Sequence, residues 1–336
     1  MTVAPIPLVI DTDAGTDVDD ALAIVLALAS PEVHLIGVTI VDGDVDLRAW
    51  IVARLLGMAG RSDIPIYKGR DRPIGPGRMP TICGHEGRGL LDVPYDGPEA
   101  TIHETPAADW LIEESRRRPF HLVAIGPYTN VAVAVEQDPG FPLRLLHLTV
   151  MGGMVHAATY SAAWRQFFET TGLDPAWIDH NTQSDPTAAL IVARSGVPIT
   201  WVTAELTFHL PLTLAGLARI EAIDTPLSDA LARLARIWND NGFRSPGAPY
   251  DGPSPFPENA VACFHDPLAL ASIFAAGWLT LRPHQLRYAI AERLFYTHEV
   301  KDGGTEALVS VAAEPAAFER FYLDRLEAFL RRPPAG

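Results

Sequence analysis

The chain has 336 residues, 48% hydrophobic and 20% charged, a composition that suits a large globular fold and excludes a disordered one. Its formal net charge of −15 opposes binding to a nucleic-acid backbone, which needs a basic face. The two cysteines, Cys83 and Cys263, supply no disulfide framework and point to a reducing compartment. Met1–Pro7 carries neither a basic segment nor an apolar stretch before a cleavage site, so no signal peptide is expected. No apolar run reaches the roughly 18–20 residues of a membrane span. A soluble, cytoplasmic protein with no membrane partner is the expectation.

Short apolar runs alternate with amphipathic segments through the first half. Pro7–Ile10 reads as a buried strand and Asp19–Ser30 as a helix with acidic residues in its first turn. Strand His34–Val41, helix Leu47–Ala59 and a short strand around Ile64–Tyr67 follow. Helix Ala107–Arg118 leads to strand His121–Ile125, helix Asn130–Glu136 and strand Leu145–Met151. Helix Thr187–Ser195 precedes strand Ile199–Val202. This alternation predicts parallel βαβ units in an open, mostly parallel Rossmann-like α/β sheet with helices on both faces. Helices Leu214–Ile223 and Leu227–Trp238 come next, then a Pro/Gly-rich loop, Gly242–Pro257, of a length typical of lids and binding loops. A helix from His265 to Ala276, strands Leu286–Ala291 and Ala307–Val311, and helix Ala317–Leu330 add helices and strands at the C-terminal end. No repeat or linker-like composition shift divides the chain, so residues 1–336 are expected to form a single domain.

Directly after the first strand stand Asp11, Asp13, Asp17, Asp19 and Asp20, grouped around Gly15. Ligands of open parallel sheets gather at the carboxyl ends of strands. Carboxylates this dense repel one another unless a cation intervenes, and all-oxygen donors suit Ca²⁺ or Mg²⁺ rather than zinc. Acidic residues also occur simply in turns and helix caps. An EF-hand spaces its aspartates similarly, but helices flank it and a Glu closes its loop at position 12. An aspartyl phosphatase of the haloacid dehalogenase type also opens with a strand and Asp-x-Asp. It carries Thr or Val where this chain has Gly15, and the loop alone leaves that reading open.

Three segments together go further. DTDAGTDVDDALA (Asp11–Ala23) resembles the N-terminal signature of the inosine–uridine-preferring nucleoside hydrolases, in the form with two extra residues before the Asp-Asp pair. VAIGPYTNVAVA (Val123–Ala134) resembles that family's second signature, and HDPLALA (His265–Ala271) its third, in the same order. The resemblance implies a calcium-dependent hydrolase that cleaves the bond between ribose and base. Such chemistry needs an activated water, a tolerated oxocarbenium-like sugar and a stabilised leaving base. A divalent cation acidifies and holds a water, and a neighbouring carboxylate accepts its proton.

By the same resemblance, Asp13 would ligate Ca²⁺ and act as general base, with Asp20, Asp266 and the Ile125 carbonyl completing the ligands. Asp11 would orient the loop. Asp19 would bind ribose hydroxyls, and so would Asp44, Asp179 and Asn181. Asp44 stands where better-known members have Asn, and Asp179 where they have Glu, one methylene longer. Met151 would line the pocket or simply pack in the core. His265 would donate a proton to the leaving base, a task suited to a near-neutral pKa. In CGHEGRG (Cys83–Gly89), Cys83 aligns with a residue that is often His, and His85 either replaces it or lies on the surface. Trp164, Trp177, Trp238, Tyr250 and Phe256 are aromatics that would stack on a base or anchor their own loops. Val155–Trp177 looks longer than in compact members, and Asp17 has no assigned role. Alternatives of other kinds are a glycosidase for a modified nucleoside or another N-riboside, and a non-catalytic nucleoside binder. The family's usual homodimers or homotetramers are carried over as an expectation.

Overall fold

The computed structural model describes residues 4–77, 83–156, 160–243, 255–274 and 277–331. Twelve strands are found among them: β1 Ile6–Thr12, β2 Val33–Ile40, β3 Ile66–Lys68, β4 Ile102–His103, β5 His121–Ala124, β6 His147–Met151, β7 Ile199–Val202, β8 Pro211–Thr213, β9 Ala260–Cys263, β10 Leu279–Ala291, β11 Leu294–Glu299 and β12 Thr305–Ala313. Ten form one sheet in the order β11-β10-β12-β7-β6-β5-β1-β2-β3-β4. From β12 to β4 neighbouring strands run parallel, while β10 is antiparallel to both β11 and β12. The parallel α/β sheet expected from the alternation is therefore present, with a mixed edge supplied by the C-terminal strands. Strands β8 and β9 form a separate antiparallel pair.

This order places the functional end. The chain lays β2, β3 and β4 to one side of β1, then returns to lay β5, β6 and β7 on the other. A topological switch point consequently lies between β1 and β5, where the crossovers diverge and leave a crevice at the strand carboxyl ends. Asp11 and Asp13 stand at the end of β1, and Ile125 directly follows β5.

Helix Asp19–Ala29 is apolar almost all round because it is covered on every side. It packs against helices His265–Ala271 and Pro315–Leu330, and the Tyr322 hydroxyl donates to the Leu22 carbonyl at 3.2 Å. Each fully buried Leu, Ile or Val here contributes about 1.5–3 kcal/mol. That burial offsets the repulsion of the acidic residues at the helix's N-terminal end, whose partial positive charge also favours them. The helix at His265 stops at Ala271, short of the expected Ala276, whose position lies outside the described residues. Strands β4, β8, β9 and β11 were not expected. Strands β4 and β8 are two and three residues long, β9 (AVAC) is too small and apolar to show alternation, and β11 follows a tight turn that carries no Gly or Asn.

At the opposite end of the sheet, His121 at the start of β5 is buried, and a ring nitrogen lies 2.9 Å from the Thr149 hydroxyl. Burial, helped by His147, pushes its pKa down to about 3. The unfolded chain binds this proton near pH 6.5 and the folded chain does not, so stability is full above pH 6.5 and declines toward pH 3. Denaturant titrations between pH 7.5 and 5 should show this slope, and His121→Gln should make it shallower. An unchanged slope would assign it to other groups.

Candidate active site

Carboxylate oxygens of Asp19, Asp20 and Asp266 lie within 4.8 Å of one another, all on buried residues. Asp19 and Asp20 open one helix and Asp266 lies in the first turn of another; the packing of those helices joins chain segments about 250 residues apart. Asp13 is close enough to push up the pKa of all three, after burial as the main cause. Asp20 is partnered by the Thr12 hydroxyl. Acceptor-only groups packed so tightly are held near neutrality by protons or by a cation, and their donor type is that of hard divalent ions.

The frame around them is polar and buried. The Asp11 carboxylate accepts from the Thr39 hydroxyl at 2.5 Å and the Asn130 amide at 2.8 Å, and burial pushes its pKa up to about 7. The Asp11 carbonyl accepts from the Ile125 N–H at 2.8 Å, fixing the turn after β5. Asn181 is buried and its amide donates to the carbonyls of Ile125 at 2.8 Å and Met151 at 3.1 Å. Glycine is required at 126: a Cβ there would lie 2.9 Å from both the backbone nitrogen and a carboxylate oxygen of Asp13. Met151 ends β6 and is 7% exposed, packed in the core.

Two expected sugar contacts are otherwise engaged. Asp44 is exposed and caps helix Val45–Met58, accepting from the Leu47 N–H at 3.0 Å. Asp179 is buried, with one oxygen accepting from the Gly153 N–H at 2.6 Å and from the Thr182 hydroxyl. His85 is not a surface residue: it is 4% exposed, and its Nε2 lies 2.8 Å from the Thr16 carbonyl. Glu86 beside it accepts from the backbone of Cys83 and Gly84 and from the Thr16 hydroxyl, fastening this loop to the acidic one.

His265 is half-buried, its Nδ1 2.7 Å from the Thr207 hydroxyl and its ring edge-on to Phe208 at 4.8 Å. Desolvation pushes its pKa down to about 3 rather than leaving it near neutrality. Asp17, without a role by sequence, groups with Asp19 and His265 within 4.8 Å. Trp164 and Phe256 are buried and pack with Phe208, so they anchor the 155–177 segment, which contains an unexpected helix, Ala162–Thr171. Trp177 is half-buried, Trp238 lies 6.1 Å from His85, and Tyr250 falls outside the described residues.

Three further groups were not anticipated. Asp42 is buried with φ 67° and groups with Asp13 and His180 within 4.8 Å. Arg48 is a buried cation whose guanidinium donates to the carbonyls of Asp42 and Asp13 and to the Thr16 hydroxyl. Asp42 lies in the same VDGDV segment as Asp44 without having been singled out, and Arg48 lies in no recognisable motif. Asn130 did lie in the second segment, TN before an apolar helix, where it reads as a cap.

The family model of the inosine-uridine preferring nucleoside hydrolases matches residues 8–318. Uridine nucleosidase 1 of Arabidopsis thaliana is 30% identical over 246 residues, covering 71% of this chain and 68% of that protein. The pyrimidine-specific ribonucleoside hydrolase RihA of Salmonella arizonae is 30% identical over 285 residues, covering 82% and 81%. Among solved structures, a purine-preferring ribonucleoside hydrolase from Gardnerella vaginalis superposes with a TM-score of 0.77 at 23% identity, covering 97% of this chain and 99% of the other. The strand order, the buried carboxylates at the switch point and the match over most of the sequence agree with one another. This chain belongs to the inosine-uridine preferring nucleoside hydrolase family and is a nucleoside N-ribosyl hydrolase.

Proposed function

We propose that the chain hydrolyses the N-glycosidic bond of ribonucleosides, releasing base and ribose, with Ca²⁺ held at the acidic cluster. The observation that carries this is the convergence of Asp13, Asp19, Asp20, Asp266 and His265 at the β1/β5 switch point. The donor set fits calcium, because the side chains and carbonyl available there are oxygen donors apart from His265 and His180. Asp13, Asp20, Asp266 and the Ile125 carbonyl would hold the ion. When bound, it supplies Lewis acidity and the charge that keeps these carboxylates ionised.

The chain's own groups divide the remaining work. Asp13 accepts the proton of the attacking water, and Asp19 accepts hydrogen bonds from the ribose hydroxyls. Asp11 and Asn130 hold the end of β1, and Asn181 aims the Ile125 carbonyl. Asp44 and Asp179 would meet the sugar with carboxylate capacity not used by the Leu47 and Gly153 N–H groups and the Thr182 hydroxyl, whereas His85 supports the acidic loop. His265 faces the departing base as a ring N–H donor. A whole-chain single domain, a homodimer or homotetramer, and a cytoplasmic setting complete the reading, the last supported by the unpaired Cys83 and Cys263. Among the described residues, no helix is long and apolar enough to cross a membrane.

One second reading has its own support. Helix Ala162–Thr171 and its aromatic cluster pack against Phe208 beside His265, which favours a modified nucleoside or other N-riboside if that segment shapes the base pocket. Incubation with inosine, uridine, adenosine and cytidine, followed by a reducing-sugar assay, separates the readings. Release from at least one is expected, and none from any would reject the general reading. Chelation should abolish the activity. Calcium at about a hundred times its dissociation constant should add about 2.7 kcal/mol of stability, several degrees in melting temperature. No shift in either quantity would remove calcium from the proposal.

A further inference from the structure

We propose that His156, His284 and Glu299 form a second metal site, outside the acidic cluster and selective for a zinc-class divalent ion. One ring nitrogen of each histidine and one carboxylate oxygen lie within 4.8 Å of one another. His284 stands on β10, Glu299 ends β11 beside it, and His156 follows the Gly152–Gly153 turn after β6. Nδ1 of His284 is 3.0 Å from the Glu299 carboxylate, and the His156 ring lies edge-on to the His284 ring at 5.1 Å. Nε2 of His284 is buried without a hydrogen-bond partner among the described residues, so this imidazole's hydrogen bonding is incomplete.

The donor type separates this trio from the acidic cluster. Two imidazoles and a carboxylate suit Zn²⁺ and similar transition ions, whereas the oxygen-only cluster suits hard cations. Bonds of about 2.1 Å at a tetrahedral centre put ligand atoms roughly 3.4 Å apart, so the trio has to close by no more than about 1.4 Å. Three protein ligands leave the fourth position to water.

An ion here would act as a tie. The N–H groups of Val155 and His156 donate to Glu205, at 2.9 and 2.8 Å, and Gly153 is held by Asp179. The metal would therefore fix the start of the 155–177 segment to the β10–β11 hairpin, next to the turn that Asp179 holds. The site stands independently of nucleoside hydrolysis.

Calorimetric titration of the full chain with Zn²⁺, in excess Ca²⁺ to occupy the acidic cluster, tests it. One equivalent should bind to the wild type, and His156→Gln, His284→Gln and Glu299→Gln should each weaken binding at least tenfold. The three variants lie on different segments, so loss of fold in one leaves the others informative, with circular dichroism as the check. No zinc uptake by the wild type would overturn the proposal. Equal uptake by wild type and variants would assign the zinc to the acidic cluster and overturn it as well.

Discussion

Asp13→Asn is expected to lower turnover by about 10²–10⁴-fold on any nucleoside the enzyme accepts, the range for removing a positioned general base. Asparagine matches aspartate in shape but cannot take a proton from water. The fold should survive, because Asn fits the space of Asp beside Gly126 and the Asp13 carbonyl that accepts from Arg48 is unchanged. The negative charge of Asp13 raises the pKa of Asp19, Asp20 and Asp266, so removing it relieves repulsion in the metal-free protein. The variant should consequently unfold no lower than the wild type without calcium, and gain less from calcium. Measuring turnover at saturating Ca²⁺ separates the two roles. Recovery of full activity there would make Asp13 a metal ligand only, and activity near wild type at every calcium concentration would deny it both roles.

How much of this was legible in the sequence depends on the kind of signal. The parallel strands were readable because β1, β2, β5, β6 and β7 are short apolar runs separated by helices, and their order in the chain matches the crossovers. Strand β4 is two residues long, and β11 follows β10 through Glu292 and Arg293, both at positive φ without the Gly or Asn that marks a tight turn. The acidic residues announced themselves by density, and HDP by its likeness to the family. Asp42 and Arg48 did not, because an Asp in a turn beside Asp44 and Asp46 and a lone Arg on an amphipathic helix both read as solvent-facing. Only the β1–β2 pairing and the return of the following helix bury them against the acidic loop. Asp44 shows the reverse case. Its alignment suggested a sugar contact, and beginning a helix at Val45 also gives one of its carboxylate oxygens a local partner in the Leu47 N–H. Local capping chemistry and distant ligand chemistry use the same side chains, and spacing alone does not separate them.

His265→Ala tests the other end of the reaction. Losses of about 10²–10⁴-fold are expected on nucleosides whose bases leave poorly without a proton, with only a several-fold loss on an activated nitrophenyl riboside. The difference is the informative quantity, because a histidine that merely props the pocket would affect both substrates alike. Burial holds this imidazole neutral at neutral pH, so its one N–H serves the departing base as a hydrogen-bond donor, and full proton transfer requires a second ring proton. The Thr207 hydroxyl has one proton for two neighbours, the Ala204 carbonyl at 3.1 Å and Nδ1 of His265 at 2.7 Å; when it turns to Nδ1, the imidazole proton sits on Nε2. Thr207→Val then adds a second arm, since it removes the hydroxyl while keeping the branched shape. It should reproduce part of the His265→Ala loss, again weighted toward poor leaving groups. Equal losses on both substrates in either variant would leave proton donation without support and return His265 to a packing role beside Phe208.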